Sequence, residues 1–259
     1  MYNLPFLPER TKKERQSSLT MMMDKGLGLI EAESFVQSSS EFTDLVKFGF
    51  GTAIISKQVK EKVALYKKAG LKPYFGGTLF ELFIVRNMFD EFRKFVTGAG
   101  LEVVEVSDGS MKLDHHEKLN YIEKLSKDFV VLSEVGSKVK GVDIPPDTWV
   151  SYMKSELSVG AWKVIAEARE SGTIGIYNSD GSANTILIDD IVKHISVENV
   201  LWEAPNKAQQ VWFIKLCGPN VNLGNIATNE VVALEALRLG LRGDTFFDFL
   251  PEKFQDKKL

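Results

Sequence analysis

Charged side chains recur near the ends of short apolar runs in this 259-residue chain. Lys47 lies in LVKFGFGT (45–52), Glu105 and Ser107 in LEVVEVSDGS (101–110), and Glu134 and Lys138 in FVVLSEVGSK (129–138). Glu167 and Arg169 lie in KVIAEARESG (163–172) and Glu203 in VLWEAP (200–205). Asp24 and Lys25 close TMMMDKG (20–26), while Asn222, Gly224 and Asn225 fall in PNVNLGN (219–225). Carboxylates gathered away from water repel one another and are costly unless cations offset them. Lys25, Lys47, Lys138 and Arg169 supply positive charge, and a divalent cation would supply more. An all-oxygen donor set suits Mg²⁺, and no His or Cys cluster has zinc spacing. The alternative is a structural ion network that only plugs the interior.

These runs, with KPYFGGTLFE (72–81), make eight β-prone segments. Most intervals between them are amphipathic. Strand followed repeatedly by helix builds a parallel sheet, because parallel neighbours need a crossover. Eight such units in this length predict a single (β/α)8 TIM barrel over 1–259, whose strand C-termini converge on one mouth. Residues 1–17 read as an N-terminal arm across the barrel bottom or a neighbouring subunit, and 247–259 as a C-terminal tail. The turn signal Ser179-Asp180-Gly181 predicts a small hairpin inserted after the sixth strand. Helices are expected around IEAESFVQ, over 57–70, 80–100 and 114–128, after Pro145-Pro146, and over ILIDDIVKHI, NKAQQVWFIKL and TNEVVALEALRLGLRG.

Side chains alternate along a strand. Turning the small and charged set inward places Lys47, Glu105, Ser107, Glu134, Glu167, Arg169, Glu203 and Asn222 around one cavity. The outward sets are then mostly apolar and can pack on helices. Gly224-Asn225, read as following the last strand, occupy the usual barrel phosphate position. Gly49–Thr52 and Gly76–Thr78 suit either an anion or tight turns. His115-His116 reads as a solvated helix start, Met21–Met23 as core filling, and Cys217 as packed and inert.

Composition narrows the partners. Net charge is −3, with 32 basic and 35 acidic residues, so there is no electrostatic footprint for nucleic acid. No run approaches the roughly 18 apolar residues of a membrane span, and the N-terminus lacks a secretory h-region. A single cysteine fits a reducing cytoplasm. The apolar LPFLP arm packs on its own barrel or on a second copy, which would make a homo-oligomer.

At these residues the chain resembles the phosphosulfolactate synthase family. The matching words are MDKGL (23–27), VKFGFGT (46–52), YFGGTLFE (74–81), VEVSDGS (104–110), SEVGSK (133–138), ARESG (168–172), EAPNKAQQ (203–210), VNLGNIA (221–227) and LRLGLRGDTF (237–246). The resemblance implies a Mg²⁺-dependent lyase that adds sulfite to phosphoenolpyruvate, giving (2R)-2-phospho-3-sulfolactate. In methanogens this opens coenzyme M biosynthesis; in some bacteria it leads to sulfolactate. It further implies Lys138 as the general acid, expected to have a lowered pKa, with Arg169 beside it as a second catalytic group. Glu105, Glu134 and Glu167 become the metal-ligand set. Asp24, Lys25, Lys47, Glu203, Asn222, Gly224 and Asn225 become the substrate-binding set. Two alternatives stand beside it: a non-catalytic member like the plant heat-stress branch, and another barrel lyase or aldolase that uses the enolate of a phosphorylated acid. The acidic strand ends and Lys138 favour the catalytic branch.

Overall fold

Runs of β-branched and aromatic residues form the strands, and each is buried on both faces, as strands covered by helices must be. A computed structural model describes residues 4–139, 141 and 144–258. Residues 1–3 of the expected arm and residue 259 of the expected tail lie outside the described residues. The strands are β1 (Thr20–Asp24), β2 (Leu45–Phe48), β3 (Lys72–Phe75), β4 (Val103–Val106), β5 (Val130–Val135), β6 (Ala161–Ala166), β7 (Val200–Glu203) and β8 (Leu223–Ala227). All ladders are parallel, in the order β3-β2-β1-β8-β7-β6-β5-β4. The barrel is therefore nearly closed. At the β3/β4 seam, the Gly77 N–H donates to the Glu105 carboxylate at 2.6 Å.

The helices are α1 (Leu29–Ser39), α2 (Thr52–Ile55), α3 (Val59–Lys68), α4 (Gly77–Ile84), α5 (Phe89–Gly98), α6 (His115–Leu125), α7 (Pro146–Ser158), α8 (Thr185–His194), α9 (Lys207–Cys217) and α10 (Val231–Arg238). Their starts follow ordinary capping chemistry. Asp114 accepts from the N–H groups of His116 and Glu117 at 3.0 and 3.3 Å, and Asn184 accepts from Leu187 N–H at 3.2 Å. Pro146 supplies the first residue of α7.

One expected helix is divided, and another forms whole but with an extra turn before it. The segment over 80–100 breaks into α4 and α5 where Asn87 takes a left-handed conformation, φ 58°. The segment before Gly70 is preceded by the separate short turn α2. The expected hairpin is a single antiparallel bridge, Tyr177 to Ala183, around a turn at Gly181. It lies against the barrel top, where the Tyr177 hydroxyl donates to the Glu203 carbonyl at 2.8 Å. Residues 9–18 run along the opposite end: Arg10 pairs with Glu235 and Arg15 with Asp44, the residue before β2.

The interior is layered. Leu19, Met21, Met23, Leu45, Tyr74, Val103, Leu132, Ile165 and Leu201 form an apolar floor inside the barrel. Above it stand Lys47, Glu105, Glu134, Glu167 and Glu203, all buried. The register sets this height: Met23 pairs with Lys47, Lys47 with Tyr74, and Glu134 with Ile165.

Candidate active site

Alternation carries Lys47 inward from β2, and its ammonium meets three carboxylates: Glu105 at 2.9 Å, Glu134 at 3.2 Å and Glu203 at 3.5 Å. Burial alone would depress this lysine, but those three carboxylates carry it well above its ordinary pKa. Lys138 reaches into the same space from the segment after β5. Its ammonium bonds Glu134 and lies 3.1 Å from Ser107 Oγ, 3.8 Å from Glu81 and 3.9 Å from Glu167. Among the described residues, five carboxylates thus surround the buried Lys47 ammonium and the partly buried Lys138 ammonium.

Unequal shares of that positive charge split the glutamates. Burial pushes Glu134 up, but Lys138 and Lys47 flank it and hold it well below the usual carboxylate range. Burial together with Glu134 and Glu203 drives Glu167 well above that range. Glu203 is pushed up to about 7 by burial, with Lys47 opposing and Glu134 adding to the shift. Burial also raises Glu105, against the pull of Lys47.

The group sits at the base of a cavity of about 390 Å³. Its upper wall includes Phe50, Thr78, Ser110, Arg169 and Ser171. Glu134, Glu167 and Glu203 each turn an oxygen to within 4.8 Å of the others. Oε2 of Glu167 is buried with no hydrogen-bond partner among the described residues. Three convergent carboxylates, one of which has an unpartnered buried oxygen, in a site short of positive charge fit a hard divalent cation.

This convergence corrects part of the expected assignments. The oxygens that converge are those of Glu134, Glu167 and Glu203, so Glu203 stands in the triad where Glu105 was expected; Oε1 of Glu105 is taken up by the Gly77 N–H and Lys47. Asp24 faces outward. It accepts from Lys62 at 2.7 Å and Tyr66 at 2.9 Å on α3, so it binds a helix and not a substrate. Asn222 has the inward parity but lies at the barrel bottom, bonded to Leu19 N–H and to the Glu198 and Val200 carbonyls. Gly224 and Asn225 do not follow β8 but lie within it. A Cβ at Gly224 would meet Met21 and Leu201 in the floor. Asn225 does reach the cavity, and donates to the Ala168 carbonyl at 3.0 Å and toward Glu203 at 3.5 Å.

At the rim, Lys25 pairs with Glu170 and is outside the cavity lining. Arg169 lines the cavity, but from the exposed loop beyond β6 and not from the strand face shared with Glu167. The lowered pKa expected for Lys138 is reversed: burial pulls it down, but Glu134 and Glu167 outweigh burial and raise it. His115 is not solvated; it stacks on Tyr152 with ring centroids 3.7 Å apart and bonds Ser155 Oγ at 2.9 Å. Cys217 is half-buried, and burial pushes its thiol up to about 11.

Two participants escaped the sequence reading. Glu81 accepts from Ser107 Oγ at 2.6 Å and approaches Lys138, yet it projects from α4, where strand alternation gives no guide. Tyr74 points inward from β3 and was available to the same parity rule.

A parallel eightfold barrel with acids and ammoniums gathered at its strand C-termini defines a TIM-barrel enzyme site. Solved structures agree on the fold: 3-hexulose-6-phosphate synthase from Salmonella typhimurium superposes with a TM-score of 0.55 at 16% identity, over 86% of this chain and 100% of that one. The family model described as (2R)-phospho-3-sulfolactate synthase (ComA) matches residues 8–244, and the chain belongs to that family. It is 43% identical over 237 residues to the phosphosulfolactate synthase of Methanocaldococcus jannaschii, covering 89% of this chain and 94% of that protein. It is 41% identical over 244 residues to the Bacillus subtilis phosphosulfolactate synthase, covering 93% and 97%. Among the described residues no helix is long and apolar enough to cross a membrane.

Proposed function

We propose that this chain joins sulfite to C3 of phosphoenolpyruvate and protonates C2, giving (2R)-2-phospho-3-sulfolactate, with Mg²⁺ as cofactor and the cytoplasm as its setting. The observation that carries this function is the Lys138 ammonium, bonded to Glu134 and Ser107 at the base of a cavity that also holds Lys47.

The sulfur lone pair forms the C–S bond at C3. The C2–C3 π pair then moves toward the carboxylate, which becomes an enediolate-like aci-carboxylate. Lys47 and Lys138 are fixed cations in a nearly dry site, where they stabilise charge that grows in the transition state without solvent reorganisation. Lys138 delivers its proton to C2 as the π pair returns to carbon, which completes the addition. Its raised pKa keeps it protonated in the resting site. Glu134 fixes its direction. Glu134, Glu167 and Glu203 would hold the Mg²⁺. When bound, the ion supplies a hard positive charge for the oxygens of the carboxylate. Arg169, exposed at the upper wall, is placed to meet an anionic group as it enters.

Phosphorus NMR of the purified chain with phosphoenolpyruvate, sulfite and Mg²⁺ tests the proposal. A new phosphoester resonance that requires sulfite is expected. Its absence across neutral pH would remove the synthase assignment.

A further inference from the structure

Outside the barrel wall, Lys118 of α6 is almost fully buried and finds partners on three different elements. Its ammonium donates to Asp108 Oδ1 at 2.9 Å in the turn after β4, and to the backbone carbonyl of Glu134 at 2.6 Å near the end of β5. Glu156 of α7, itself fully buried, lies 2.9 Å away. An ion pair with Glu156 is not a sufficient reason for a lysine here, since apolar residues of similar volume commonly match a buried pair in stability. What apolar residues lack is the ability to hold two chain segments by hydrogen bonds.

Both of those segments carry Lys138. The Gly109 carbonyl, next to Asp108, accepts from the Lys138 N–H at 2.9 Å. The Lys138 stem runs so close to Gly109 that a Cβ there would lie 3.1 Å from Cγ and 3.2 Å from Cδ. On the other side, only Val135, Gly136 and Ser137 separate Lys138 from Glu134. Gly136 turns the chain at φ 132°, where a side chain would strike Trp149 and Glu167 at 2.6 Å. Lys118 therefore grips, from behind, the two segments between which Lys138 is threaded.

We infer that Lys118 is a positioning residue: it ties the turn after β4 to the end of β5 and so sets where the Lys138 ammonium stands in the cavity. This deepens the proposed function and rests on Lys138 as the proton donor.

Hydrogen–deuterium exchange and steady-state kinetics of Lys118→Met and Asp108→Asn test it together. Asp108→Asn weakens one tether and leaves the Lys118–Glu156 pair in place, so it decides the matter should Lys118→Met fail to fold. Faster exchange confined to 107–112 and 134–139 is expected, with β1, β2, β7 and β8 unchanged. A misplacement near 1 Å costs about a hundredfold, so kcat of Lys118→Met is expected to fall by roughly that factor while KM for phosphoenolpyruvate stays within about threefold. Asp108→Asn moves kcat the same way by less. Folded variants with unchanged exchange in both segments, or with unchanged kcat, overturn the inference. A wild-type chain without synthase activity would defeat the proton-donor assignment, and the exchange data would still decide whether the tether exists.

Discussion

Buried Lys47 and partly buried Lys138 are both held charged by glutamates, yet they are expected to fail differently. Lys138→Met removes the donor and leaves Lys47 to neutralise Glu134. Its kcat is expected to fall by about 10²- to 10⁴-fold, the usual range for a general acid, with phosphoenolpyruvate affinity by calorimetry changed far less. Lys47→Met strips one cation from Glu105, Glu134 and Glu203 at once. Breaking a buried pair on one side costs about 3–5 kcal/mol, so a clear fall in Tm is expected along with lost activity. Alternation made most of this cluster legible in the sequence, since Lys47, Glu105, Glu134, Glu167 and Glu203 do share the inward face. The same rule could have removed Asp24, which is one residue out of phase with inward Met21 and Met23. Asn222 was a failure of height: parity says which face a residue takes, not how far up the barrel it stands. Glu81 was invisible because its route to Lys138 runs through a helix and Ser107.

At the scale of elements, the β3/β4 seam is a closely fitted contact in the site. Gly77 opens α4 with its N–H given to Glu105, and a Cβ there would lie 2.3 Å from Ser107 Cβ and 2.5 Å from Glu105 Oε1. Gly77→Ala should therefore push α4 off β4, disturb both Glu105 and Ser107, and lower activity at least tenfold together with Tm, checked by assay and thermal melt. Leu82→Ala, on the exposed side of the same helix, should leave both within error. All eight strands were legible because each is an apolar run ended by small or charged residues. The α4/α5 break was not. Apolar spacing continues through it, and the left-handed residue that makes the turn is an asparagine, a weaker signal than glycine.

For the whole molecule, the polar layer over an apolar floor is expected to make stability depend on pH and, through the proposed Mg²⁺, on cation. Glu203 has a folded pKa near 7 against an ordinary value of 4.5, so between these values the folded state binds more protons than the unfolded. The contribution of Glu203 is then fully present below 4.5 and lost as pH rises through about 7. Glu167, raised by burial and by Glu134 and Glu203, acts in the same direction. Metal-free protein is expected to lose Tm from pH 5.5 to 8, and Mg²⁺ to raise Tm more at pH 8 than at pH 6, because its ligands must be deprotonated to bind. A chelator should abolish turnover and added Mg²⁺ restore it.

The central claim is that Lys138, held by Glu134 in a cation-dependent carboxylate pocket, protonates C2 after sulfite adds to phosphoenolpyruvate. Its most direct test is the rate of sulfite-dependent phosphoester formation, followed by phosphorus NMR with saturating Mg²⁺, for the wild-type chain and Lys138→Met side by side. Rapid formation by the wild type and a loss of about a hundredfold or more in the variant is the predicted result. A wild-type chain that forms no new phosphoester, or a Lys138→Met variant that forms it at the wild-type rate, would contradict the account.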